Sequence, residues 1–529
     1  MARRRDGGAG GASHDLARAG RRARERRRHA RYARRGRGRR RGHRRSGRGR
    51  AHPRPAREPA HRHLAGVPPG RPAPGRRSPD GSVKTVSPAR RVAARILERV
   101  DAEQAFADQA LDAGIEGAGL SARDAGLATE IVLGVLRWRR LLDALLAPHS
   151  KRRLDRLDPR VLTLLRMTAY QIVFLERVPA WAAVDDAVTL ARPRAKPGAP
   201  EFVNAVLRAF ARRGALERRP LLPADPVDAL AVRCSFPTWL AARWVERYGA
   251  DEAERLMLAM NTRPPLTVRV NLARTTRELA QTRLRQEDRL EAQPTRYAPE
   301  GLVVEHGTPP GAWAAFRTGD VVPQDEASML VSRLLEPRPG EAVADVCAAP
   351  GTKTTHIATL MTDSGRVIAF DPHRGRLALV AESAARLGLH AIETHAGEVE
   401  ALAGGFAGRC DRVLVDAPCS NLGVLRRNPE VKWRRAPEDL RRAQARQRRI
   451  LAAAAVMVRP GGRLVYATCS LEPEENDEVV QEFLAAHPGF GVDRPLETPI
   501  ELDAAGVLRC LPHRHDTDGF TAIRVRRAD

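Results

Sequence analysis

The hydrophobic residues that follow residue 87 recur with the period of an α-helix, and this pattern continues to about residue 213. Ser87-Pro88 is typical of a helix start, and Asp158-Pro159 repeats the arrangement at a second helix. The apolar faces consist of Val92, Ile96, Leu97 and Val100 in the first helix and of Leu162, Leu165, Ala169, Ile172 and Val173 in the second. With further helices at about Ala122–Leu146, Trp181–Ala191 and Glu201–Arg212, residues 84–215 are predicted to form an all-α domain.

The pattern changes to short apolar runs separated by loops in the last part of the chain. Glu341 to Val346 is predicted to be a buried strand, and the sequence breaks at Pro350-Gly351 before a helix from Lys353 to Met361. Three more strands are predicted at Arg366–Phe370, Arg412–Val415 and Arg463–Thr468. Because strands alternate with helices, the fold class of residues 336–529 is predicted to be α/β, with a Rossmann-like sheet.

Residues 222–335, between these two parts, have a mixed character. Ser235 to Leu240 leads into a helix that ends near Tyr248, and Pro264-Pro265 excludes helix just before a β-branched run. Gln324 to Ser328 begins another helix. We interpret this region as a linker or N-terminal subdomain of the α/β domain.

The net charge of +28 is concentrated near the start of the chain. Residues 1–80 contain 27 Arg, no Lys and five acidic residues, whereas the other 449 residues hold 64 basic and 58 acidic residues. Residues 1–83 have almost no large apolar side chains, so they are predicted to be a disordered Arg-rich tail. Such a tail can be a basic RNA-binding arm, but we favour a dispensable tail or translated DNA upstream of the true start.

The six cysteines are scattered without a CxxC pair, which indicates neither a disulfide framework nor a zinc site. They lie at positions 234, 347, 410, 419, 469 and 510. No apolar run reaches the length of a membrane span, and no signal peptide is recognisable. These features favour a reducing cytoplasm, without a membrane or a metal as partner.

The stretch from Asp345 to Lys353 joins the first predicted strand to its helix through small residues. Free N–H groups point out of such a turn, so a nucleotide-like ligand can come close to the helix start. Asp371 ends the next strand, where a carboxylate can accept hydrogen bonds from ribose hydroxyls. Because parallel strands end at one edge of a sheet, we expect Asp371 to converge there with Asp416, Cys419 and Cys469.

Two stretches around these cysteines carry a family resemblance. Asp416-Ala-Pro-Cys-Ser420, with Gly423 and Arg426-Arg-Asn-Pro429, and Ala467-Thr-Cys-Ser-Leu-Glu-Pro-Glu-Glu-Asn476 resemble the signature motifs of RNA cytosine-C5 methyltransferases of the NOL1/NOP2/Sun family. The helical part resembles the NusB-like RNA-binding fold at Arg90–Val100, Thr168–Ile172 and Phe202–Arg208. The resemblance covers residues 88–526, and the helical domain points to the bacterial members that act on 16S ribosomal RNA.

The resemblance implies an enzyme that uses S-adenosyl-L-methionine to methylate cytosine C5 in RNA. A thiolate first adds to C6 of the base, so that C5 becomes nucleophilic enough to take the methyl group; the C5 proton and the thiol then leave. By the family pattern Cys469 is the nucleophile, Cys419 assists release of the adduct, and Asp416 binds the base at N3 and N4. The cofactor would be held by Cys347, Ala348, Ala349, Pro350, Gly351, Thr352, Lys353, Asp371 and Asp416, and no metal is needed.

Two positions depart from the family pattern. The turn usually reads Pro-Gly-Gly-Lys, but here the second glycine is Thr352, and a β-branched residue resists a positive φ. We expect the turn to accept Thr352. The family also usually has an aspartate near the third strand, where this chain has Ala396; either Glu398 replaces it or a contact to the adenine side of the cofactor is lost.

The leading hypothesis is therefore a cytoplasmic, monomeric methyltransferase of 16S ribosomal RNA. The same chemistry on transfer RNA is one alternative, against which the helical domain argues. Another is a non-catalytic RNA-binding or ribosome assembly factor; the two cysteines and Asp416 argue against it, whereas Thr352 and Ala396 favour it. A small-molecule methyltransferase would leave the helical domain without a task.

Overall fold

A computed structural model of the chain describes residues 85–192, 197–214, 219–305 and 309–529. The Arg-rich tail predicted for residues 1–83 lies outside these ranges. The described part is a mixed α/β architecture, in which a helical domain precedes a small antiparallel sheet and a large, mainly parallel one. The helical and the α/β parts of the predicted fold class are thereby confirmed.

The helical domain packs its helices around one apolar core. In the described ranges these helices are α1 (Pro88–Ala102), α2 (Ala107–Gly117), α3 (Ala122–Leu146), α4 (Pro159–Phe174), α5 (Ala180–Ala191) and α6 (Ala199–Arg212). The core includes the fully buried Ile131, Leu165, Leu207 and Phe210. Helix α4 is central, because it packs against α1, α3, α5 and α6 and is buried on more than the single face that its sequence predicts.

The two predicted helix starts are held in different ways. The side chain of Asp158 accepts a capping hydrogen bond from Arg160 N, at 2.9 Å, whereas that of Ser87 makes no capping bond. Ser87 N instead donates to Asp186 Oδ2 at 3.3 Å, and the same oxygen accepts from Arg90 at 2.7 Å. The start of α1 is therefore fixed by a contact with α5 and not by its own serine.

The region between residues 222 and 335 contains more strands than the sequence pattern predicts. Three helices come first: α7 (Pro226–Arg233), α8 (Thr238–Tyr248) and α9 (Ala250–Met260). An antiparallel sheet in the order β2-β3-β1-β4 follows, with β1 (Leu266–Val270), α10 (Arg277–Gln286), β2 (Ala292–Pro294), β3 (Gly301–Val304), α11 (Ala314–Arg317) and β4 (Val321–Pro323). Strand β1 follows the Pro264-Pro265 pair as predicted, while the other strands have only three or four residues, too few for a recognisable period.

The large sheet has the order β10-β12-β9-β8-β5-β6-β7, and β11 pairs with β12. Its parallel strands are β5 (Ala342–Asp345), β6 (Arg366–Asp371), β7 (Ile392–Ala396), β8 (Cys410–Asp416) and β9 (Val458–Thr468), while β10 (Phe490–Val492), β11 (Val507–Cys510) and β12 (Phe520–Arg527) add antiparallel partners. Its helices are α12 (Glu326–Leu334), α13 (Thr352–Leu360), α14 (Arg374–Leu387), α15 (Val399–Leu402), α16 (Val431–Arg434), α17 (Pro437–Met457), α18 (Asp477–Ala486) and α19 (Pro512–His515). The chain leaves β5 toward β6 and later returns to its other side as β8, so the strand order reverses there.

Residues 426–434, which we call the docking segment, connect the large sheet to the helical domain. Lys432 is buried in this contact, and its Nζ donates to Arg137 O at 2.9 Å and to Asn261 Oδ1 at 2.8 Å. Burial, and then the charge of Arg137, hold the pKa of Lys432 well below its usual value. In the opposite direction, the Arg137 side chain donates to Arg426 O at 2.9 Å.

Two more side chains of the docking segment donate to backbone oxygens of the helical domain. Trp433 Nε1 donates to Leu136 O at 2.6 Å. The guanidinium of Arg434 donates to Val100 O at 2.9 Å and to Ala105 O at 2.6 Å. The helical domain is therefore in direct contact with a segment that begins a few residues after Cys419. No helix in the described ranges combines the length and apolar character needed to cross a membrane.

Candidate active site

A cavity of about 440 Å³ opens at the carboxyl edge of the parallel strands, beside the point where the strand order reverses. Open α/β sheets bind their ligands in this crevice, and the volume is in the range of small-molecule sites. The predicted site residues that line it are Cys347, Ala349, Pro350, Thr352, Lys353, Asp371, Asp416, Cys419 and Cys469. Ala348 and Gly351 belong to the same turn but do not line the cavity.

Gly351 provides the one left-handed residue of the turn between β5 and α13. Its φ is 103°, and a Cβ at this position would lie 3.1 Å from the Val380 Cα. Thr352 is already the first residue of α13 and is not among the residues with positive φ. The turn therefore does not require a second glycine, which explains how it accepts Thr352.

Acceptor carboxylates lie farther along the same cavity. Asp371 Oδ1 accepts a hydrogen bond from His373 N at 2.9 Å, while Oδ2 lies 3.6 Å from Arg376 Nη1, too far for a hydrogen bond. Glu398 lines the cavity beyond β7, whereas Ala396 does not. A small-residue turn, an acceptor at the end of β6 and a second acid after β7 fit the nucleoside part of an adenosyl cofactor.

Lys353 and Asp416 form an ion pair inside the cavity, with Nζ 2.6 Å from Oδ2. Burial alone lowers the pKa of Lys353, but the charge and hydrogen bond of Asp416 and the charge of Cys469 raise it above its ordinary value. The amine is therefore an ammonium paired with a carboxylate. Its Nζ is also 5.0 Å from the ring centroid of Phe520.

The two predicted thiols are in contact. Cys419 Sγ lies 3.2 Å from Cys469 Sγ, and Asn421 Oδ1 lies 3.0 Å from Cys469 Sγ and 3.5 Å from Cys419 Sγ. The hydrogen bond with Cys469, and then burial, raise the pKa of the Cys419 thiol well above its usual range. Cys419 therefore keeps its proton in this environment. Asn421 is a contact that the sequence analysis missed.

The buried carboxylate of Glu475 joins the loops that carry the two cysteines. Oε1 accepts from Ser420 N at 2.7 Å and from Gln447 Nε2 at 3.2 Å, and Oε2 accepts from the hydroxyls of Ser420 and Ser470, each at 2.5 Å. Burial raises the pKa of Glu475, and these hydrogen bonds oppose the rise. Since Ser420 follows Cys419 and Ser470 follows Cys469, one side chain fixes how far apart the sulfurs lie.

Another part of the cavity wall carries a pair of carboxylates that the sequence analysis also missed. Arg427 donates to Asp325 Oδ2 at 3.0 Å and to Asp518 Oδ2 at 2.5 Å. Burial, and then the charge of Asp325, raise the pKa of Asp518 to about 6. Asp325 and Asp518 are 193 residues apart in the chain, so no linear motif joins them.

Two buried ionisable groups support the turn from behind. Asp345 Oδ2 accepts from Thr354 Oγ1 at 2.7 Å, and burial raises the pKa of Asp345 to about 7. Arg269, on β1, donates to Thr352 O at 2.6 Å and to Thr355 Oγ1 at 3.0 Å, and burial lowers the pKa of Arg269 to about 9. The antiparallel sheet thus fixes the first turn of α13. In the described ranges, no group of three His, Cys, Asp or Glu side chains is arranged to hold a metal ion.

Three family models match successive parts of the chain. Residues 87–212 match the NusB family, residues 236–309 match the RsmF/B-like ferredoxin-like domain, and residues 332–526 match the 16S rRNA methyltransferase RsmB/F family. The order of these matches follows the order of the helical domain, the small antiparallel sheet and the large sheet.

Whole-chain relatives extend the same similarity. The chain is 38% identical over 450 residues to the probable ribosomal RNA small subunit methyltransferase B of Bacillus subtilis, which covers 83% of this chain and 98% of that protein. It is 35% identical over 401 residues to ribosomal RNA small subunit methyltransferase B of Pseudomonas putida, covering 76% and 89%. Among solved structures, that of PH0851 superimposes with a TM-score of 0.71 at 27% identity, covering 84% of this chain and 99% of that one.

Proposed function

The chain belongs to the RsmB/F family of 16S rRNA methyltransferases, and we propose that it methylates C5 of a cytosine in 16S ribosomal RNA through a covalent bond between Cys469 and the base. As a member of this family it is a methyltransferase that uses S-adenosylmethionine. The cofactor supplies an electrophilic methyl group that leaves from a sulfonium centre. The observation that carries the proposal is the 3.2 Å contact between two thiols beside the Lys353–Asp416 ion pair.

The proposed reaction uses Cys469 as the nucleophile. Its thiolate adds to C6 of the base, and C5 then has enough electron density to accept the methyl group. Lys353 is placed to stabilise this thiolate, since its ammonium interacts with the charge of Cys469. Asp416 would bind the base at N3 and N4 and stabilise the positively charged form of the ring during the attack.

Cys419 has a different proposed role, because it keeps its proton while Cys469 reacts. After water in the cavity has taken up the C5 proton, the C5–H electron pair forms the C5–C6 double bond, the bond between C6 and the Cys469 sulfur breaks, and the sulfur leaves with its electron pair as a thiolate. The Cys419 S–H, 3.2 Å from that sulfur, can donate a hydrogen bond to it as it departs. This assists release of the methylated RNA.

The turn and the strand ends are the proposed cofactor site. The cofactor would be surrounded by Cys347, Ala349, Pro350, Thr352 and Lys353, which line the cavity. Asp371 would bind the ribose, and Glu398 would replace the aspartate that the family usually has where this chain has Ala396. Ala348 and Gly351 would shape the turn from behind the wall. The helical domain would bind the RNA, and we propose that the enzyme acts as a monomer in the cytoplasm.

The test incubates the protein with radiolabelled S-adenosylmethionine and unmodified 16S ribosomal RNA or transfer RNA, and maps any 5-methylcytosine. We expect label at one cytosine of 16S ribosomal RNA. Label only in transfer RNA would keep the chemistry and refute the substrate, and no label in either would favour a non-catalytic RNA-binding factor.

The roles of the thiols are tested by substitution. Cys419→Ala should accumulate a covalent protein–RNA adduct that survives denaturing electrophoresis, whereas Cys469→Ala should form neither adduct nor product. Cys234→Ala is the matched control, because that thiol is buried among α7, α8 and α9, outside the cavity lining. Methylation that persists in Cys469→Ala would refute the covalent mechanism.

A further inference from the structure

Asn421 occupies an unusual position between the two cysteine loops. Its backbone is left-handed, with φ of 64°, a conformation that asparagine adopts more readily than most residues and glycine most readily of all. Its side chain lines the cavity, and its Oδ1 lies within hydrogen-bonding distance of both sulfurs. The left-handed backbone therefore coincides with a side-chain amide that touches both sulfurs.

The hydrogen atoms of this group can be arranged in one consistent chain. Either sulfur can donate in the 3.2 Å contact; in this arrangement the Cys419 S–H donates to Cys469 Sγ, and the Cys469 S–H donates to Asn421 Oδ1 at 3.0 Å. When Cys469 loses its proton, its sulfur becomes a hydrogen-bond acceptor. Because Asn421 Oδ1 is also an acceptor, the two atoms can no longer form a hydrogen bond and repel each other. A half-turn about the Cβ–Cγ bond exchanges Oδ1 for Nδ2 and restores a donor, since the two ends of a carboxamide have nearly the same shape.

We propose that Asn421 is a further catalytic residue, whose carboxamide accepts the S–H of resting Cys469 and donates Nδ2–H to the thiolate that attacks the base. Hydrogen bonds to an ionised partner are about twice as strong as neutral ones, so this exchange favours the thiolate. The amide cannot take up the proton itself, so the proton is transferred to solvent water. This inference rests on the proposed function of Cys469 as nucleophile.

Several charged or titratable groups also face Cys469 and would remain in any Asn421 variant. Lys353 approaches from α13, Asp416 from the end of β8, Cys419 from the loop after β8, and Glu475 from the loop after β9. Asp518 lines the same cavity from the loop just before β12. Because these groups are unchanged, a difference between the wild type and an Asn421 variant reports on the amide.

Asn421→Gly is the decisive variant, because glycine keeps the left-handed backbone without strain while the amide is removed. Asn421→Asp is the second variant, since it places a negative charge beside the sulfur. The control is Arg289→Gly, which makes the same kind of backbone change at an exposed residue with φ of 56° on a loop of the antiparallel subdomain.

The measurement is the rate at which iodoacetamide alkylates Cys469 in the full chain as a function of pH, followed by mass spectrometry of the peptide that contains it. In Asn421→Gly we expect the alkylation midpoint to move up by about one pH unit, which is about a tenfold lower rate below the midpoint. Asn421→Asp should move it further, and Arg289→Gly should match the wild type. An Asn421→Gly profile that superimposes on that of the wild type, or one that moves to lower pH, would overturn the proposal.

Thiol reactivity is measured here without RNA or cofactor, so it is separable from the proposed function. A wild type that fails to methylate RNA while Asn421→Gly shifts the alkylation profile would refute the function and leave the thiol–amide contact supported. In the methylation assay itself, Asn421→Gly should lower kcat about tenfold with little change in KM for RNA, because the amide acts on the attacking sulfur. A change in KM alone would contradict this role.

Discussion

Replacing Glu475 by glutamine keeps the shape of the side chain but removes a charge and turns one acceptor oxygen into a donor amide. The two serine hydroxyls that donate to Oε2 at 2.5 Å would have to reverse and become acceptors. Hydrogen bonds to a charged group contribute about 1 kcal/mol more than neutral ones, so weakening these two costs about 2 kcal/mol. Burying a charged carboxylate costs free energy, and this cost is what raises the pKa of Glu475. Glutamine is uncharged and avoids that cost, so part of the loss of about 2 kcal/mol is offset.

The larger consequence of Glu475→Gln concerns the sulfurs. Ser420 follows Cys419 and Ser470 follows Cys469 in the chain. If the hydrogen bonds from these serines to the side chain at position 475 rearrange, the two cysteine loops can move apart. A displacement of about 1 Å at reacting atoms commonly costs about 100-fold in rate. We therefore expect single-turnover methylation to slow by about 10- to 100-fold, while denaturant unfolding shows a loss of only about 1–2 kcal/mol.

Glu478→Gln is the matched control, because Glu478 lies three residues away, is exposed, and accepts from Gln444 Nε2 at 2.7 Å without touching either cysteine loop. Both variants are compared by methyl transfer from labelled cofactor and by urea unfolding. If Glu475→Gln methylates RNA as fast as Glu478→Gln, the hydrogen bonds of Glu475 do not set the position of the sulfurs and the reasoning is wrong.

Two further predictions concern the support of the site, and a third concerns the packing of the helical domain. Asp345 has a pKa of about 7 in the folded chain against 3.8 for the free side chain, so the folded state binds more protons than the unfolded state between these pH values. The stability of the wild type therefore falls as pH rises from about 4 to about 7. In urea titrations, Asp345→Asn should gain stability relative to the wild type over this range, and a constant difference would contradict the pKa shift. Arg269→Met should weaken cofactor binding about tenfold in calorimetry, because Thr352 O loses its donor, and unchanged affinity would show that β1 does not support the turn. Gly134→Ala should lower the free energy of unfolding by about 1–3 kcal/mol, since its Cβ would lie 1.9 Å from Tyr170 Cζ, and a wild-type urea midpoint would refute that packing.

The sequence was sufficient for the parts of the fold that have a long period or a local motif. Helices α3, α5 and α6, the strands β5, β6, β8 and β9, and the convergence of Cys419, Cys469, Asp371 and Asp416 all followed from patterns along the chain. The antiparallel strands β10, β11 and β12 were not predicted, because they are stabilised by pairing with distant strands and, for β10 and β11, are only three or four residues long.

The missed site residues have a related physical cause. Asp325 and Asp518 meet only after the chain has folded, so their spacing carries no signal. Glu475 lies inside a motif that was recognised, but its carboxylate acts on the loop of the other motif, 55 residues away. The left-handed φ of Asn421 could have been suspected from an Asn followed two residues later by Gly423, yet its contact with both sulfurs depends on the separation that Glu475 sets.

The docking segment has a consequence for anyone who wishes to redirect this enzyme to another RNA. Lys432 has two acceptors in its buried site, and one of them, Arg137 O, belongs to the helical domain. A chimera that exchanges the helical domain at residue 215 would remove that oxygen together with the partner of Trp433 and leave the buried amine with one acceptor. The helical domain and the large sheet are therefore not separable modules, and a retargeted version has to keep the surface of α3 that the docking segment binds.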